Sequence, residues 1–215
     1  MKWILFDFDG TLVDSAEAFV HAWNEASPKY GFKPLRLEDV PSLLKYTIKE
    51  RAAMSDFPMY KLPIILPGVY KTYRQNMHLI TMKQHAKETI ERLLEKGYRL
   101  AVLSSNDRQN IATFLQQHEL EGFEEILTSS KIFGKDAVMK KFLKGQQLQC
   151  ADVLYVGDEL RDIVACQKVG LPIAAVSWGF DARALLQSGN PQYIVDDFAS
   201  LYETIEQHFA TINAK

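Results

Sequence analysis

Cysteines, long apolar runs and excess charge are all scarce in this sequence, and each shortage narrows the range of functions. Cys150 and Cys166 are the two cysteines, their spacing fits no metal motif, and a reduced compartment is the simpler interpretation. No apolar run is long enough to span a bilayer. The formal net charge of −2 argues against a nucleic-acid binder that works by neutralising phosphates.

A signal peptide is poorly supported too, because Asp7 and Asp9 interrupt the apolar N-terminus. What the sequence has is an ordinary composition, with 47% hydrophobic and 24% charged residues. Its 215 residues suit one core domain with an insert, or two small domains. We therefore expect a cytoplasmic protein without nucleic-acid or membrane partners, as a monomer or a homodimer.

The N-terminal segment combines a buried strand with acidic residues. Residues 2–8 are almost all apolar, which predicts a strand buried on both faces, as in a parallel sheet. Asp7 and Asp9 interrupt and close this run, and Gly10 and Thr11 follow. A carboxylate there is costly to desolvate unless a cation or hydrogen bonds compensate. The turn is thus a candidate site for a metal and a phosphate, with a simple polar turn as the structural alternative.

Strands and helices alternate along the second half of the chain. Short apolar strands are predicted at residues 98–103, 126–128, 153–156, 172–176 and 193–195, with a last helix over 199–209. This alternation predicts an α/β fold with a doubly wound, Rossmann-like parallel sheet. In such sheets ligands bind at the carboxyl ends of the strands.

The stretch between the first two core strands is too long for a simple crossover. We expect residues 15–81 to form a helical cap over the site. The core would then comprise residues 1–14 and 82–215, and a helix is predicted over 69–80 within the cap.

Caps and prolines predict where the helices of this insert begin and end. Asp14 fits as the N-cap of the first helix, with Glu17 three residues on in a capping-box-like arrangement. Pro28 and Gly31 are expected to end that helix. Further prolines, the last of them Pro67, are expected to separate short helical pieces.

The predicted cap is more basic than the rest of the chain. Residues 15–80 hold nine basic and six acidic residues, whereas the remainder holds 16 basic and 21 acidic residues. A basic lid would favour an anionic substrate. Solvated helix faces explain most of these charges, and the candidates for a substrate contact are Lys45, Lys49, Arg51 and Arg74.

Polar residues follow two of these predicted strands. Ser104, Ser105 and Asn106 end one strand and open a helix, which suits phosphate oxygens and also suits a plain helix cap. Asp158 and Asp162 lie four apart and can point the same way from a first helical turn. Acidic residues at a helix start also complement the helix dipole, which is the structural alternative.

Four segments in this order resemble the four signatures of the haloacid dehalogenase-like (HAD) hydrolase superfamily. They are Asp7-Phe8-Asp9-Gly10-Thr11, the strand ending in Ser104, Gly134-Lys135, and Gly157-Asp158 with Asp162. Many relatives have proline after the lysine, where this chain has Asp136, and Lys131 is the competing lysine. Residues 157–195, with a Trp-Gly-Phe turn, resemble phosphoglycolate phosphatase-type members.

The resemblance implies a phosphatase that hydrolyses a small phosphorylated metabolite through an aspartyl-phosphate. In that interpretation Asp7 attacks phosphorus, and Asp9 protonates the leaving alkoxide and then activates water. Ser104 and Lys135 hold the transferring oxygens. The phosphate-binding set would be Gly10, Thr11, Ser104, Ser105, Asn106 and Lys135.

The same resemblance implies a magnesium site. Asp7, Asp158 and the backbone carbonyl of Asp9 would bind Mg²⁺, and Asp162 would support the metal shell or the lysine. The cation would neutralise charge that otherwise repels an anionic nucleophile from an anionic substrate.

Other functions on the same residues stay open. A sugar phosphomutase of this superfamily would differ in its cap, and a non-catalytic binding protein could retain the fold. A phosphonate-cleaving enzyme would need a cap lysine, for which Lys45 and Lys49 are candidates. A dehalogenase is disfavoured because the second acid, Asp9, suits phosphoryl chemistry.

Overall fold

A computed structural model describes residues 2–129 and 131–213. The strands are β1 (Trp3–Phe6), β2 (Val13–Asp14), β3 (Thr81–Met82), β4 (Arg99–Ser104), β5 (Phe123–Thr128), β6 (Val153–Gly157), β7 (Ile173–Val176) and β8 (Tyr193–Val195). Six of them form a parallel sheet in the order β5-β4-β1-β6-β7-β8, while β2 and β3 pair antiparallel by themselves. The predicted doubly wound parallel sheet is therefore confirmed.

Ten α-helices accompany the strands in the described part of the chain. They are α1 (Ala16–Tyr30), α2 (Val40–Leu43), α3 (Ile48–Met54), α4 (Leu62–Gln75), α5 (Ala86–Glu95), α6 (Arg108–Gln117), α7 (Lys135–Gly145), α8 (Leu160–Val169), α9 (Arg183–Ser188) and α10 (Phe198–Asn213). Short 3₁₀ helices occur at Leu37–Asp39, Met59–Lys61, Met77–Leu79 and Cys150–Asp152. None of the helices among these residues has the length and hydrophobicity that a membrane span requires.

Strand β1 lies at the centre of the sheet and is buried on both faces. Ile4 and Phe6 belong to one apolar cluster, which includes buried side chains of α5 and α10. Trp3 and Leu5 belong to a second cluster on the other face, with buried side chains of α7 and α8. Side chains of a strand alternate between its faces, so a continuous apolar run serves both helical layers.

The helical segment between β2 and β3, called the cap below, shares the first of these clusters. Trp23, Phe32 and Phe57 pack ring against ring inside it, and Ile65 of α4 belongs to the same cluster as the sheet residues. Cap and sheet are thus joined by continuous apolar packing. The antiparallel pairing of Val13–Asp14 with Thr81–Met82 ties together the two ends of the segment.

The predicted N-cap of α1 is displaced by one residue. Ser15, not Asp14, stands at the N-cap position, because Asp14 belongs to β2. The Asp14 carboxylate still accepts the Ala16 N–H at 3.2 Å and also pairs with Lys83 at 3.0 Å. Ending the helix at Gly31 was right, since this residue adopts φ 74° at the C-cap.

Two prolines expected to interrupt helices lie inside them instead. Pro28 sits in the last turn of α1, and the hydroxyl of Ser27 donates to the Asn24 carbonyl that the missing proline N–H would have reached. Pro67 lies inside α4, which starts at Leu62 and ends at Gln75. The predicted helix over residues 69–80 was therefore too late at both ends.

Candidate active site

Three neighbouring strands deliver polar residues to one edge of the sheet. Asp7 follows β1, Ser104 ends β4, and Asp158 follows β6, and both β4 and β6 pair with β1. The carboxyl ends of adjacent parallel strands lie side by side, so these residues share one region.

Asp7 and Lys135 form a buried ion pair at the centre of this region. The Asp7 side chain is almost fully buried, and its Oδ1 accepts the Phe8 N–H at 2.7 Å while its Oδ2 contacts Lys135 Nζ. Lys135 also donates to Asp162 Oδ1 at 2.7 Å and to the Tyr155 hydroxyl at 2.9 Å. Lys131, the competing lysine, is exposed.

Lys135 remains a cation although it is buried. Burial alone would lower its pKa, but the carboxylates of Asp162 and Asp7 outweigh that effect and raise it. Burial raises the pKa of Asp162 to about 6, with Lys135 opposing the shift. The site therefore concentrates acidic groups beyond what its lysine neutralises.

A cluster of three carboxylates lies beside that lysine. Asp7, Asp158 and Asp162 each offer an oxygen within 4.8 Å of the other two. Burial, Glu159 and then Asp7 raise the pKa of Asp158 well above its ordinary value, which marks a site short of positive charge. An all-oxygen donor set with excess negative charge fits a hard divalent cation.

This carboxylate set differs from the predicted metal set in one member. The prediction has Asp7, Asp158 and the backbone carbonyl of Asp9, with Asp162 behind them. In the structure Asp162 completes the carboxylate cluster, and its Oδ2 accepts the Glu159 N–H at 3.3 Å.

Glycines allow the backbone to close around Asp158. Gly10 has φ +76°, and a Cβ added there would lie 2.1 Å from Asp158 Oδ2. A Cβ at Gly179 would lie 2.2 Å from the Asp158 Cβ. The carboxylate accepts the Thr11 hydroxyl at 2.7 Å and the Phe180 N–H at 2.6 Å. The hydroxyl of Thr11, predicted to bind phosphate, is thus directed at Asp158.

The Asp9 carboxylate contacts the cap and the loop after β4, and it is not part of the carboxylate cluster. Its Oδ1 accepts the Tyr73 hydroxyl at 2.5 Å, and its Oδ2 accepts the Asn106 side-chain amide at 2.8 Å. Burial, followed by the charge of Asp9, raises the pKa of Tyr73 well above its usual range, so the phenol stays a donor. Asp9 is therefore held by neutral donors, whereas Asp7 is held by the Lys135 cation.

The predicted phosphate-binding loop after β4 is internally bonded. Ser104 is buried, and its hydroxyl accepts the Asn106 N–H at 3.1 Å. The Ser105 hydroxyl accepts from Arg161 at 3.1 Å. Asp107 caps α6 by accepting the Gln109 N–H at 2.9 Å, so this segment does form the helix cap that was the structural alternative.

The basic cap residues singled out from the sequence contact the core instead of the carboxylate cluster. Arg51 donates to the Phe180 carbonyl at 2.7 Å and forms an ion pair with Asp181. Arg74 donates to Asn110 at 2.7 Å and to Asp107 at 2.9 Å.

The two candidate lysines of the cap lie near aromatic rings. Lys45 Nζ is 5.2 Å from the ring centroid of Tyr46, and Lys49 Nζ is 5.8 Å from that of Phe133. Contacts of this kind are typical of lysines at a surface.

Sequence reasoning missed several residues that shape the site. Tyr155 faces Lys135 from β6, Tyr73 reaches Asp9 from α4, and Arg161 forms an ion pair with Glu159. The signal for the two tyrosines was a tyrosine on an otherwise apolar strand or helix face, since a buried tyrosine hydroxyl needs a hydrogen-bond partner. Arg161 lies within the fourth signature but at one of its variable positions.

Comparison with known proteins identifies the family. The model of the family described as haloacid dehalogenase-like hydrolase matches residues 4–176. The chain belongs to this family. The resemblance stated from the sequence, and with it the prediction of a hydrolase, is confirmed.

Relatives of this hydrolase match it over nearly its whole length. Phosphoglycolate phosphatase from Synechococcus elongatus is 32% identical over 211 residues, covering 96% of this chain and 98% of the relative. Pyrophosphatase PpaX from Bacillus mycoides is 24% identical over 204 residues, covering 92% and 94%. A structure described as a predicted phosphatase from Clostridium acetobutylicum has a TM-score of 0.83 at 21% identity and covers 96% and 98%, which shows the shared fold.

Proposed function

We propose that this protein is a Mg²⁺-dependent phosphatase that hydrolyses a small phosphate monoester through an aspartyl-phosphate. The relatives named as phosphatases support the assignment as a phosphatase hydrolase. One observation carries the mechanism: the side chains of Asp7 and Asp9, two residues apart in the chain, have different surroundings. Asp7 lies in the carboxylate cluster with Lys135, whereas Asp9 faces the cap.

In the first step Asp7 attacks phosphorus and the ester bond to the alcohol breaks. Lys135 stabilises negative charge around Asp7 and on the transferring oxygens, and the loop at Ser104 contributes hydrogen bonds to those oxygens. Asp9, in its protonated form, gives its proton to the leaving alkoxide. It then takes a proton from the water that hydrolyses the aspartyl-phosphate and releases inorganic phosphate.

Asp7, Asp158 and the Asp9 carbonyl would hold Mg²⁺, with Asp162 orienting Lys135. When bound, the cation supplies charge neutralisation between the anionic nucleophile and the anionic ester. We propose residues 15–81 as the cap that covers this site, and the cytoplasm, where small phosphorylated metabolites occur, as its location.

The Asp7→Asn variant tests the nucleophile. We expect phosphate release to fall by about a thousandfold or more, because an amide does not form the covalent intermediate. Asp14→Asn is the matched control, since Asp14 is exposed and pairs with Lys83 outside the site. Circular dichroism establishes that both variants fold, and normal turnover in Asp7→Asn would refute the assignment.

Removal of the metal tests the cofactor. Chelation with EDTA is expected to abolish phosphate release and Mg²⁺ to restore it, because the buried carboxylates then lose their counter-charge. Activity that persists in EDTA would contradict the proposal. A phosphomutase would convert its substrate to an isomer without accumulating inorganic phosphate. The same phosphate-release assay would then give no signal.

A further inference from the structure

An apolar cavity of about 210 Å³ opens from Asp9 into the cap. Its walls come mostly from cap helices and include Leu43, Leu44, Ala52, Ile65, Leu66 and Val69. Asp9 lines the cavity, whereas Asp7, Lys135 and Asp158 lie outside its lining. The cavity is therefore on the side of the site where the proposed general acid meets the leaving group.

The cations that line this cavity already have anionic partners. Among the described lining residues, Arg51 and Arg161 are the basic ones. Arg51 pairs with Asp181 and also donates to backbone carbonyls, and Arg161 pairs with Glu159. A further carboxylate entering here would meet the charge of Glu159 and would compete for arginines that buried acids already hold.

The remaining polar groups near Asp9 are uncharged. Tyr70 donates to the Ser105 carbonyl, and Tyr73 and Asn106 donate to the Asp9 carboxylate. Tyr73 and Asn106 orient the acid, and the cavity wall beyond them is mostly apolar. Burial of an apolar group against that wall is favourable in proportion to its area, whereas an unpaired polar group there is penalised.

We propose that the leaving group of the substrate is an uncharged aliphatic alcohol of about four to six carbons, bound in this cap cavity. This inference rests on the proposed phosphatase function and names its substrate class. It separates this chain from its 32% identical relative, which is named for phosphoglycolate, an ester whose leaving group carries a carboxylate.

A series of esters tests the preference. Phosphate release is measured with Mg²⁺ for ethyl, butyl and hexyl phosphate and for 2-phosphoglycolate. Chain length changes the pKa of these simple alcohols little, so the series reports on binding. We expect kcat/KM to rise roughly threefold per methylene until the cavity is filled. Butyl phosphate should exceed 2-phosphoglycolate by at least about tenfold.

A cavity-filling variant tests where the alcohol binds. Ala52→Leu places extra carbons in the cavity and should lower the ratio of kcat/KM for hexyl phosphate to that for ethyl phosphate by about tenfold. Ala53→Leu is the matched control, because Ala53 is the next residue of α3, is exposed and does not line the cavity. It should leave that ratio unchanged.

The outcomes separate this inference from the proposed function. Efficiency that does not depend on chain length, a preference for 2-phosphoglycolate, or an unchanged ratio in Ala52→Leu would overturn the inference alone, since phosphate release from any ester still supports a phosphatase. Release from none of the esters would overturn the proposed function and this inference with it.

Discussion

Lys135 is the residue on which the charge balance of the site depends. It is the cation in contact with Asp7 and Asp162, and all three side chains are almost fully buried. A buried ion pair is costly to break from one side, because the remaining partner keeps its desolvation penalty. The Tyr155 hydroxyl, which also donates to the Leu103 carbonyl at 3.2 Å, holds the ammonium from the sheet side.

Replacing this lysine should lower the stability of the fold as well as the rate of the reaction. Lys135→Met keeps the length of the side chain but leaves two buried carboxylates without their counter-charge, so the free energy of unfolding should fall by about 3–5 kcal/mol in metal-free buffer. Urea titration measures it. Lys131→Met is the control, because Lys131 is exposed, and its change should stay within about 0.5 kcal/mol. Equal stability of the two variants would contradict the role given to Lys135.

The close packing at Asp158 gives a second residue-scale prediction. Gly179→Ala puts a methyl group 2.2 Å from the Asp158 Cβ, so the loop must move, which should cost about 1–3 kcal/mol of unfolding free energy and weaken Mg²⁺ binding. In Gly145→Ala, by contrast, the new Cβ meets nothing within 4 Å. That control should be neutral or slightly stabilising in thermal unfolding, and a neutral Gly179→Ala would show that the contact is easily relieved.

At the scale of elements, α4 is the part of the cap that reaches the site. Tyr70, Tyr73 and Arg74 lie three and four residues apart, so they share one face of the helix. Their polar tips bond to the Ser105 carbonyl, to Asp9 and to Asn110. One face of α4 therefore connects the cap to the proposed general acid and to the predicted phosphate-binding loop.

The Tyr73→Phe variant tests whether α4 orients the general acid. The change removes the hydroxyl that donates to Asp9 Oδ1 and keeps the ring, so we expect kcat to fall by about tenfold with little change in KM. Tyr60→Phe is the control, because Tyr60 is 76% exposed in the same cap. A loss confined to stability, with kcat unchanged, would reduce Tyr73 to a packing residue.

Elements were predictable from the sequence where one physical signal dominates. Most strands of the parallel sheet are continuous apolar runs, so their positions were right within a few residues, whereas the start of β5 was placed three residues late because two glutamates follow Phe123. Strands β2 and β3 were missed because two residues carry no periodicity. Pro28 does not end α1, which continues to Tyr30, because the Ser27 hydroxyl donates to the carbonyl that the proline leaves without an N–H partner.

The residues of the candidate site also divide into those that the sequence indicates and those that it does not. Asp7, Lys135 and Asp158 stand at the ends of strands or the start of a helix, where sequence order alone indicates convergence. The contacts of Tyr70 and Tyr73 depend on which face of α4 meets the core, and that is decided by tertiary packing across the chain. Residues from the cap were therefore the ones that sequence reasoning assigned least well.

At the scale of the whole molecule, stability should depend on His208 in mildly acidic solution. This residue is buried in α10, its Nδ1 lies 3.1 Å from the Tyr193 hydroxyl, and its Nε2 has no partner among the described residues. Burial, followed by the charge of Lys2, lowers the pKa of His208 below 6.5. The unfolded chain then binds the proton more readily, so stability is lost as pH falls below about 6.5.

The His208→Phe variant should reduce this dependence. Its unfolding free energy should drop less between pH 7.5 and pH 5.5 than that of the wild type, because one proton-uptake site of the unfolded chain is gone. Urea unfolding at the two pH values measures the difference. His78→Phe, at an exposed position, should keep the wild-type slope, and a parallel slope in His208→Phe would contradict the assignment.

The small antiparallel pair of Val13–Asp14 with Thr81–Met82 has a consequence for how such proteins diversify. The chain leaves and rejoins the core at adjacent points. The segment between β2 and β3 is therefore inserted through a single two-stranded connection. Replacing the segment between these two strands keeps the chain order of the six strands of the parallel sheet. A graft would replace the cap cavity and would also remove the Tyr73 hydroxyl that donates to Asp9, so a new segment must bring its own partner for that carboxylate.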